Sequence, residues 1–321
     1  MMNFFWITGL VVTVFLISAP SPFAPAGEYP DRPIRLIYPF PAGSGGDIAT
    51  RIFADAMTKE LGQPVKVTNV TGGRATIGAA KVAQAKKDGY EIGSLPIGPA
   101  VTQPIFSENL PYKTADLEPV CQFTYLPIVI VAGAHTPYKT IKGLVDYAKK
   151  NPGKVTFAHP GLGTVPYLMM KALESATGIQ MKGVPYKGLA PGVTAVVGGH
   201  VDVAPAVLAG VIGLKKAGKL NVMGLFASER MPLAPDVPTV EEDGVKVYPQ
   251  LWTGIFAPKG IDGEALKKLE AACAKAAKSR NFIQAMTKAK QPVLYLDSRA
   301  FQAKITADIQ YFKAYRAKSQ K

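Results

Sequence analysis

The amino-acid sequence predicts an α/β fold made of two lobes. Strand-like and helix-like stretches alternate along most of the 321 residues, which is typical of a parallel sheet with right-handed crossovers. The alternation begins near residue 34 and begins again near residue 126. In each half, an early strand is followed directly by a glycine-rich loop and a helix. Two α/β units therefore share one chain.

The first half reads as strand, helix, strand, helix, strand. Apolar residues recur on one helical face after Asp47, and Gly62 ends that pattern. The predicted strands cover residues 34–40, 65–70 and 90–95, and the predicted helices cover residues 47–61 and 76–86.

The second half follows the same order and ends in long amphipathic helices. The predicted strands cover residues 126–132, 155–158, 180–184, 201–205, 220–226 and 252–257. The predicted helices cover residues 140–150, 164–177, 190–197, 262–279 and 298–318.

The N-terminus predicts export. Residues 4–17 are apolar but too few to span a bilayer comfortably, and small residues that suit a signal peptidase follow, among them Ala24-Pro25-Ala26. We therefore expect residues 1–26 to be a cleaved signal peptide and the mature protein to lie in the periplasm. A membrane anchor is the alternative.

The composition limits the kind of partner. The net charge is +14, but the basic residues are scattered and not interleaved with aromatic residues, so nucleic-acid binding is not expected. A basic surface suits small anions instead. Cys121 and Cys273 are compatible with one disulfide or with two buried thiols. The histidines stand apart from each other and from the cysteines, so we expect neither a metal nor a cofactor.

The first glycine-rich loop, "PAGSGGD" at residues 41–47, is open to several interpretations. A phosphate-binding loop is disfavoured, because Gly-Lys-Ser/Thr is missing and Ile48 stands where a dinucleotide loop has its third glycine. A nucleophile elbow would make the protein a secreted serine hydrolase. Ser44 lies between a strand and a helix, and Asp116 and His159 follow in hydrolase order.

A carboxylate-binding loop needs only exposed backbone N–H groups and a helix N-terminus, which is partially positive. The second half carries a similar loop in "FAHPGLGTVPYLMM" at residues 157–170. Two such loops, facing each other across a cleft, would bind a small anion without catalysis. The simpler alternative makes both loops tight turns, with Asp47 as a helix N-cap.

Several motifs resemble the substrate-binding proteins of tripartite tricarboxylate transporters, also called Bug receptors. They occur in the family's order across the mature chain: "PFPAG" (39–43), "DGY" (88–90), "VPYKG" (184–188), "DVPT" (236–239) and "WTGIFAPKG" (252–260). The resemblance implies a type II periplasmic-binding-protein fold whose two lobes are joined by two crossing strands. It assigns residues 27–126 and 253–321 to the first lobe and residues 127–252 to the second.

The resemblance also implies a function and a site. The protein is expected to be a monomeric receptor, not an enzyme, that delivers a small carboxylate to membrane transporter subunits. A receptor that serves a sensor kinase is the alternative. Loops 40–47 and 159–164 are expected to hold the ligand like a pincer. The expected ligand-binding residues are Phe40, Ala42, Gly43, Ser44, Gly45, Gly46, Asp47, Arg74, Thr76, His159, Gly161, Leu162, Gly163, Thr164, Tyr167 and Ala206.

Departures from the family pattern bear on the ligand. One arginine of the family pattern is missing after the second strand, and Arg74 appears later, where it could pair with a second carboxylate. A solvated surface arginine is the alternative. The expected wall is less polar because of Leu162, Pro166, Tyr167 and Ala206, and Asp47 is the only evident acidic group. We therefore expect an amine-free carboxylate with an apolar body, preferably a dicarboxylate.

Overall fold

The computed structural model describes residues 28–227, 229–231, 234–245 and 250–319. The predicted signal peptide, residues 1–26, lies outside this part of the chain. The described strands form two sheets, one of six strands and one of five.

The helices and strands alternate as expected. The first run consists of β1 (Ile34–Tyr38), α1 (Gly45–Leu61), β2 (Val65–Asn69), α2 (Thr76–Ala83), β3 (Glu91–Pro96), α3 (Gln103–Phe106) and β4 (Leu117–Leu126). The second consists of β5 (Ile128–Gly133), α4 (Ile141–Lys150), β6 (Thr156–His159), α5 (Val165–Thr177), β7 (Lys182–Pro185), α6 (Leu189–Val197), β8 (Val203–Val207), α7 (Leu208–Lys216) and β9 (Leu220–Leu225). The last part consists of β10 (Leu251–Pro258), α8 (Gly263–Lys278), α9 (Arg280–Lys288), β11 (Val293–Leu296) and α10 (Ser298–Ser319).

Both sheets are built on one plan. Their strand orders are β11-β4-β10-β3-β1-β2 and β7-β6-β8-β5-β9. In each sheet, three parallel strands are followed by an antiparallel strand contributed by a distant part of the chain, β10 in the first and β5 in the second. The chain passes from the first sheet to the second at Pro127 and returns before β10. The return includes residues 246–249, which lie outside the described residues.

The cores are apolar and partly shared. One cluster of buried side chains includes Trp252 and Phe256 of the first sheet and Ile130 and Phe157 of the second. A second cluster lies beneath α1 and α8, where Cys121 and Cys273 form a disulfide. The pairing that the sequence left open is therefore a cross-link between β4 and α8.

Some boundaries differ from the predicted ones for local reasons. The single strand expected at residues 126–132 is divided between two sheets at Pro127, which has no N–H to donate to a ladder. The helix expected from Asp47 begins at Gly45, because Ser44 is its N-cap. Pattern analysis did not predict α3, β4, α7, α9 or β11.

Candidate ligand-binding site

The start of α1 is organised around Ser44. This residue has the extended backbone of an N-cap, and its Oγ accepts a hydrogen bond from the Asp47 N–H at 3.3 Å. The cap thus belongs to Ser44, whereas the tight-turn alternative assigned it to Asp47. Because β1 ends just before this loop, the N-terminus of α1 lies at the carboxyl edge of the sheet, where α/β proteins bind ligands.

Asp47 holds the loop together. Its carboxylate accepts hydrogen bonds from the Gly43 N–H and from Arg51 Nε, each at 2.9 Å, and from Asn69 Nδ2 at 2.8 Å. Burial alone would raise the pKa of Asp47, but these bonds outweigh burial and the pKa lies below its usual value. Asp47 is 2% exposed, so its charge is already compensated within the protein.

The start of α5 lies at the corresponding place in the second sheet, after the end of β6. Thr164 has the extended backbone of an N-cap, and its Oγ1 donates to the Gly161 carbonyl at 2.7 Å. His159 lies at the end of β6, where its Nδ1 accepts from the Gly161 N–H at 3.1 Å. The imidazole hydrogen is therefore on Nε2. Burial lowers the pKa of His159, so the ring is neutral. Its centroid lies 4.9 Å from that of the Tyr167 ring, and the two rings together shape the loop.

A cavity of about 470 Å³ lies between the two sheets and is bordered by both helix starts. Most of its wall is apolar and includes side chains from both sheets. Among the described residues that line it, Arg74 is the only one with a charged side chain. The lining residues are Tyr38, Phe40, Ser44, Gly45, Gly46, Arg74, Pro96, Gly98, Pro99, Thr102, Gln103, Leu126, Pro160, Thr164, Val165, Pro166, Gly188, Leu189, Val207, Leu251 and Thr253.

Arg74 reaches the cavity from an unusual turn. Four consecutive residues, 72–75, have positive φ angles, including Arg74 at 55° and Ala75 at 76°. Left-handed backbone is costly for residues with a Cβ atom and is concentrated at functional sites. The Arg74 guanidinium donates to Ser107 Oγ at 3.4 Å, which connects this turn to the segment after β3.

The structure brings together only part of the expected site. Phe40, Ser44, Gly45, Gly46, Arg74 and Thr164 line the cavity. The other expected residues lie outside its lining: Ala42, Gly43, Asp47, Thr76, His159, Gly161, Leu162, Gly163, Tyr167 and Ala206. Several of these support the loops, as Asp47 and His159 do. Ala206 is completely buried in β8, and Leu162 is 65% exposed.

The hydrolase constellation is not assembled in the structure. Within the described residues, no hydrogen bond joins Ser44, His159 and Asp116, and His159 Nδ1 is bound to its own loop. The Asp116 carboxylate accepts from the Lys113 N–H at 2.7 Å in a separate turn. Ser44 Oγ instead accepts a hydrogen bond from the Asp47 N–H as the cap of α1.

Sequence analysis missed cavity residues from elements it did not predict or did not associate with the site. Thr102 and Gln103 follow the carboxyl end of β3. The general tendency of α/β proteins to bind ligands at this edge of the sheet was the only signal for their segment. Tyr38 precedes the first loop, and its phenol lies against Gly46. Burial raises the pKa of Tyr38 to about 12, so the phenol remains neutral. Leu126, Val207 and Leu251 are apolar, so their residue types did not mark them as ligand-binding residues.

No helix in the described part of the chain has the length and apolar character needed to cross a membrane. The family model of the TctC proteins, described as the tripartite tricarboxylate transporter family receptor, matches residues 49–315. A UPF0065 protein of Bordetella pertussis is 32% identical over 275 residues, which are 85% of this chain and 85% of that protein.

Solved structures show the same similarity. A ligand-free TctC solute-binding protein from Polaromonas is 29% identical, with a TM-score of 0.78 over 90% of this chain and 99% of that one. MatC of Rhodopseudomonas palustris, solved with bound malate, is 27% identical, with a TM-score of 0.73 over 89% of this chain and 99% of that one. The chain therefore belongs to the receptor family of the tripartite tricarboxylate transporters and has the two-lobed α/β fold of periplasmic solute-binding proteins.

Proposed function

We propose that the protein is a periplasmic receptor that captures an amine-free carboxylate, preferably a dicarboxylate, between its lobes. It would be exported by residues 1–26, act as a monomer and deliver its ligand to the membrane subunits of a tripartite tricarboxylate-type transporter. The lobes would follow the two sheets, with residues 27–126 and 253–321 in the first and residues 127–252 in the second.

The charge of the cavity is the observation that carries this proposal. Arg74 is charged, and the described lining contains no Asp or Glu. An ammonium group buried there would have no counter-charge, which is costly in an apolar cavity. A carboxylate would meet a guanidinium, which favours bidentate pairing. The cavity thus favours anions and disfavours amino acids.

Two helix starts support the same conclusion. Ser44 and Thr164 are the N-caps of α1 and α5, and both line the cavity. The first N–H groups of a helix lack partners within the helix, and the helix dipole makes this end attractive to anions. A ligand carboxylate between these ends would interact with both lobes. Arg74 would then be available for a second carboxylate.

The apolar part of the lining supports a ligand with a hydrocarbon body. Leu126, Leu189, Val207 and Leu251 contribute side chains to the wall. Hydrocarbon buried against them gains roughly 25 cal/mol per Å². The malate bound to MatC shows that a relative binds an amine-free dicarboxylate.

Paired ligands test the proposal. Calorimetry with succinate and aspartate, and with glutarate and glutamate, compares ligands that differ only by an amino group. We expect the amine-free acid to bind more tightly in each pair and to raise the melting temperature, because it binds the native state. Tightest binding of an amino acid would contradict the specificity argument. Failure of every acid to bind would contradict the carboxylate receptor.

A further inference from the structure

Gln103 places a buried amide in the cavity wall. It is the first residue of α3, is 3% exposed and lines the cavity together with Arg74. Its Oε1 accepts a hydrogen bond from the Ser107 hydroxyl at 2.9 Å. The oxygen of Ser107 accepts in turn from Arg74 Nη2 at 3.4 Å. The three side chains therefore form one hydrogen-bonded chain at the cavity.

The direction of this chain determines the orientation of the amide. A guanidinium can only donate, so the Ser107 oxygen accepts from Arg74 and its single hydrogen goes to Gln103. The atom of Gln103 that meets Ser107 is therefore the carbonyl oxygen. The NH₂ group must point the other way, with two hydrogens to donate.

The NH₂ group lacks an acceptor in the described part of the chain, where no hydrogen bond from Gln103 Nε2 occurs. It differs from the amide of Gln122, whose atoms are sealed in the core without a partner. Gln103 is one of the residues that line the cavity, and no carboxylate lines it. A ligand carboxylate in the cavity would supply an acceptor for this donor.

We propose that Gln103 and Arg74 together bind the second carboxylate of a dicarboxylate ligand. The guanidinium supplies the charge, and the oriented amide supplies a donor that a monocarboxylate would leave unused. Gln103 is then a specificity-determining residue for diacids over monoacids. This inference rests on the proposed function, because it assumes that the ligand's first carboxylate is bound elsewhere in the same cavity.

The test compares diacids with monoacids of equal length. Succinate, glutarate and adipate are titrated by calorimetry beside butyrate, pentanoate and hexanoate. Gln103→Met keeps the length of the side chain and removes its donors. We expect it to weaken the tightest diacid about tenfold to a hundredfold, as for a hydrogen bond to a charged group, and to change its monoacid partner by less than about threefold.

Two further variants make the outcome decisive. Gln84→Met removes an exposed amide that donates to the Pro111 carbonyl at 3.1 Å, and it should leave both affinities unchanged. Gln103→Glu keeps the acceptor for Ser107 but replaces the donors with a negative charge, so it should disfavour the diacid even more strongly. Melting curves verify that each variant is folded.

The outcomes separate this inference from the proposed function. If the wild-type protein binds a diacid but Gln103→Met and Gln103→Glu leave its affinity unchanged, the role of Gln103 is wrong. An equal loss for diacid and monoacid would also overturn it, since Gln103 would not distinguish the second carboxylate. If the wild-type protein binds none of the acids, the proposed function fails, and this inference fails with it.

Discussion

Replacing Gly46 with alanine tests how tightly the start of α1 is built around Tyr38. A Cβ atom at Gly46 would lie 2.0 Å from Tyr38 Oη and 3.0 Å from its Cζ. Tyr38 is 4% exposed, so its ring has little room to move away. Overpacking of this kind costs about 1–3 kcal/mol, and the better helix propensity of alanine recovers about 0.5–1 kcal/mol. We expect the free energy of unfolding to fall by about 1–2 kcal/mol.

Urea unfolding measures this change, with tryptophan fluorescence as the signal. Trp252 is buried, and it is the only tryptophan after residue 26. Gly210→Ala serves as the control, because a Cβ atom there meets nothing within 4 Å and Gly210 lies in α7. That variant should be as stable as the wild type or more stable by up to about 1 kcal/mol.

Removal of the phenol oxygen should rescue the variant. In Tyr38→Phe/Gly46→Ala the 2.0 Å contact is gone, and only the 3.0 Å contact with the ring remains. We expect the free energy of unfolding of the double variant to be at least about 1 kcal/mol higher than the sum of the two single changes would give. Full stability of Gly46→Ala, or additive effects in the double variant, would refute this account of the loop.

Three other predictions concern the disulfide, the buried Asp308 and the two helix caps. Replacing Cys121 and Cys273 with alanine should lower the free energy of unfolding by about 2–4 kcal/mol in urea titrations, because the disulfide restricts the unfolded chain; unchanged stability would argue against a formed bond. Burial raises the pKa of Asp308, so its ionised form disfavours the fold as pH rises through that pKa. Asp308→Asn should therefore be more stable than the wild type at pH 7 and lose this advantage below about pH 4, near the pKa of an unfolded aspartate; a constant difference in thermal melts across pH would contradict this. Ser44→Ala should weaken carboxylate binding by about 0.5–2 kcal/mol in calorimetry. Thr164→Ala should weaken binding through the loop, because the Thr164 hydroxyl donates its hydrogen to the Gly161 carbonyl; unaltered affinity in both variants would place the ligand elsewhere.

The regular part of the fold could be predicted from periodicity. The helix after Ser44 and the flanking strands of the first half are short-range patterns, and the structure has them within a few residues of the predicted bounds. The second half of the chain was harder. Residues 208–216 form α7 although their apolar and glycine content gives no helical face, and Pro127 divides what looked like one strand.

The site could be predicted only where it follows a loop motif. Ser44 and Thr164 stand at helix starts, which the sequence marks, and both border the cavity. Gln103 and Leu251 are brought there by the packing of distant elements, and no local pattern marks such a meeting. Sequence spacing also does not reveal that His159 Nδ1 accepts a hydrogen bond from its own loop, and the expected contact of His159 with the ligand stays a prediction.

The position of β10 in the first sheet has a consequence for how the chain can fold during synthesis. This strand lies between β3 and β4, and β11 pairs on the other side of β4. Until residue 258 has left the ribosome, no strand connects β3 with β4, so the first sheet cannot be completed. Such distant strand pairings are slow to form. A nascent chain would thus leave this sheet incomplete until nearly its whole length is available, which would suit the export proposed above for residues 1–26.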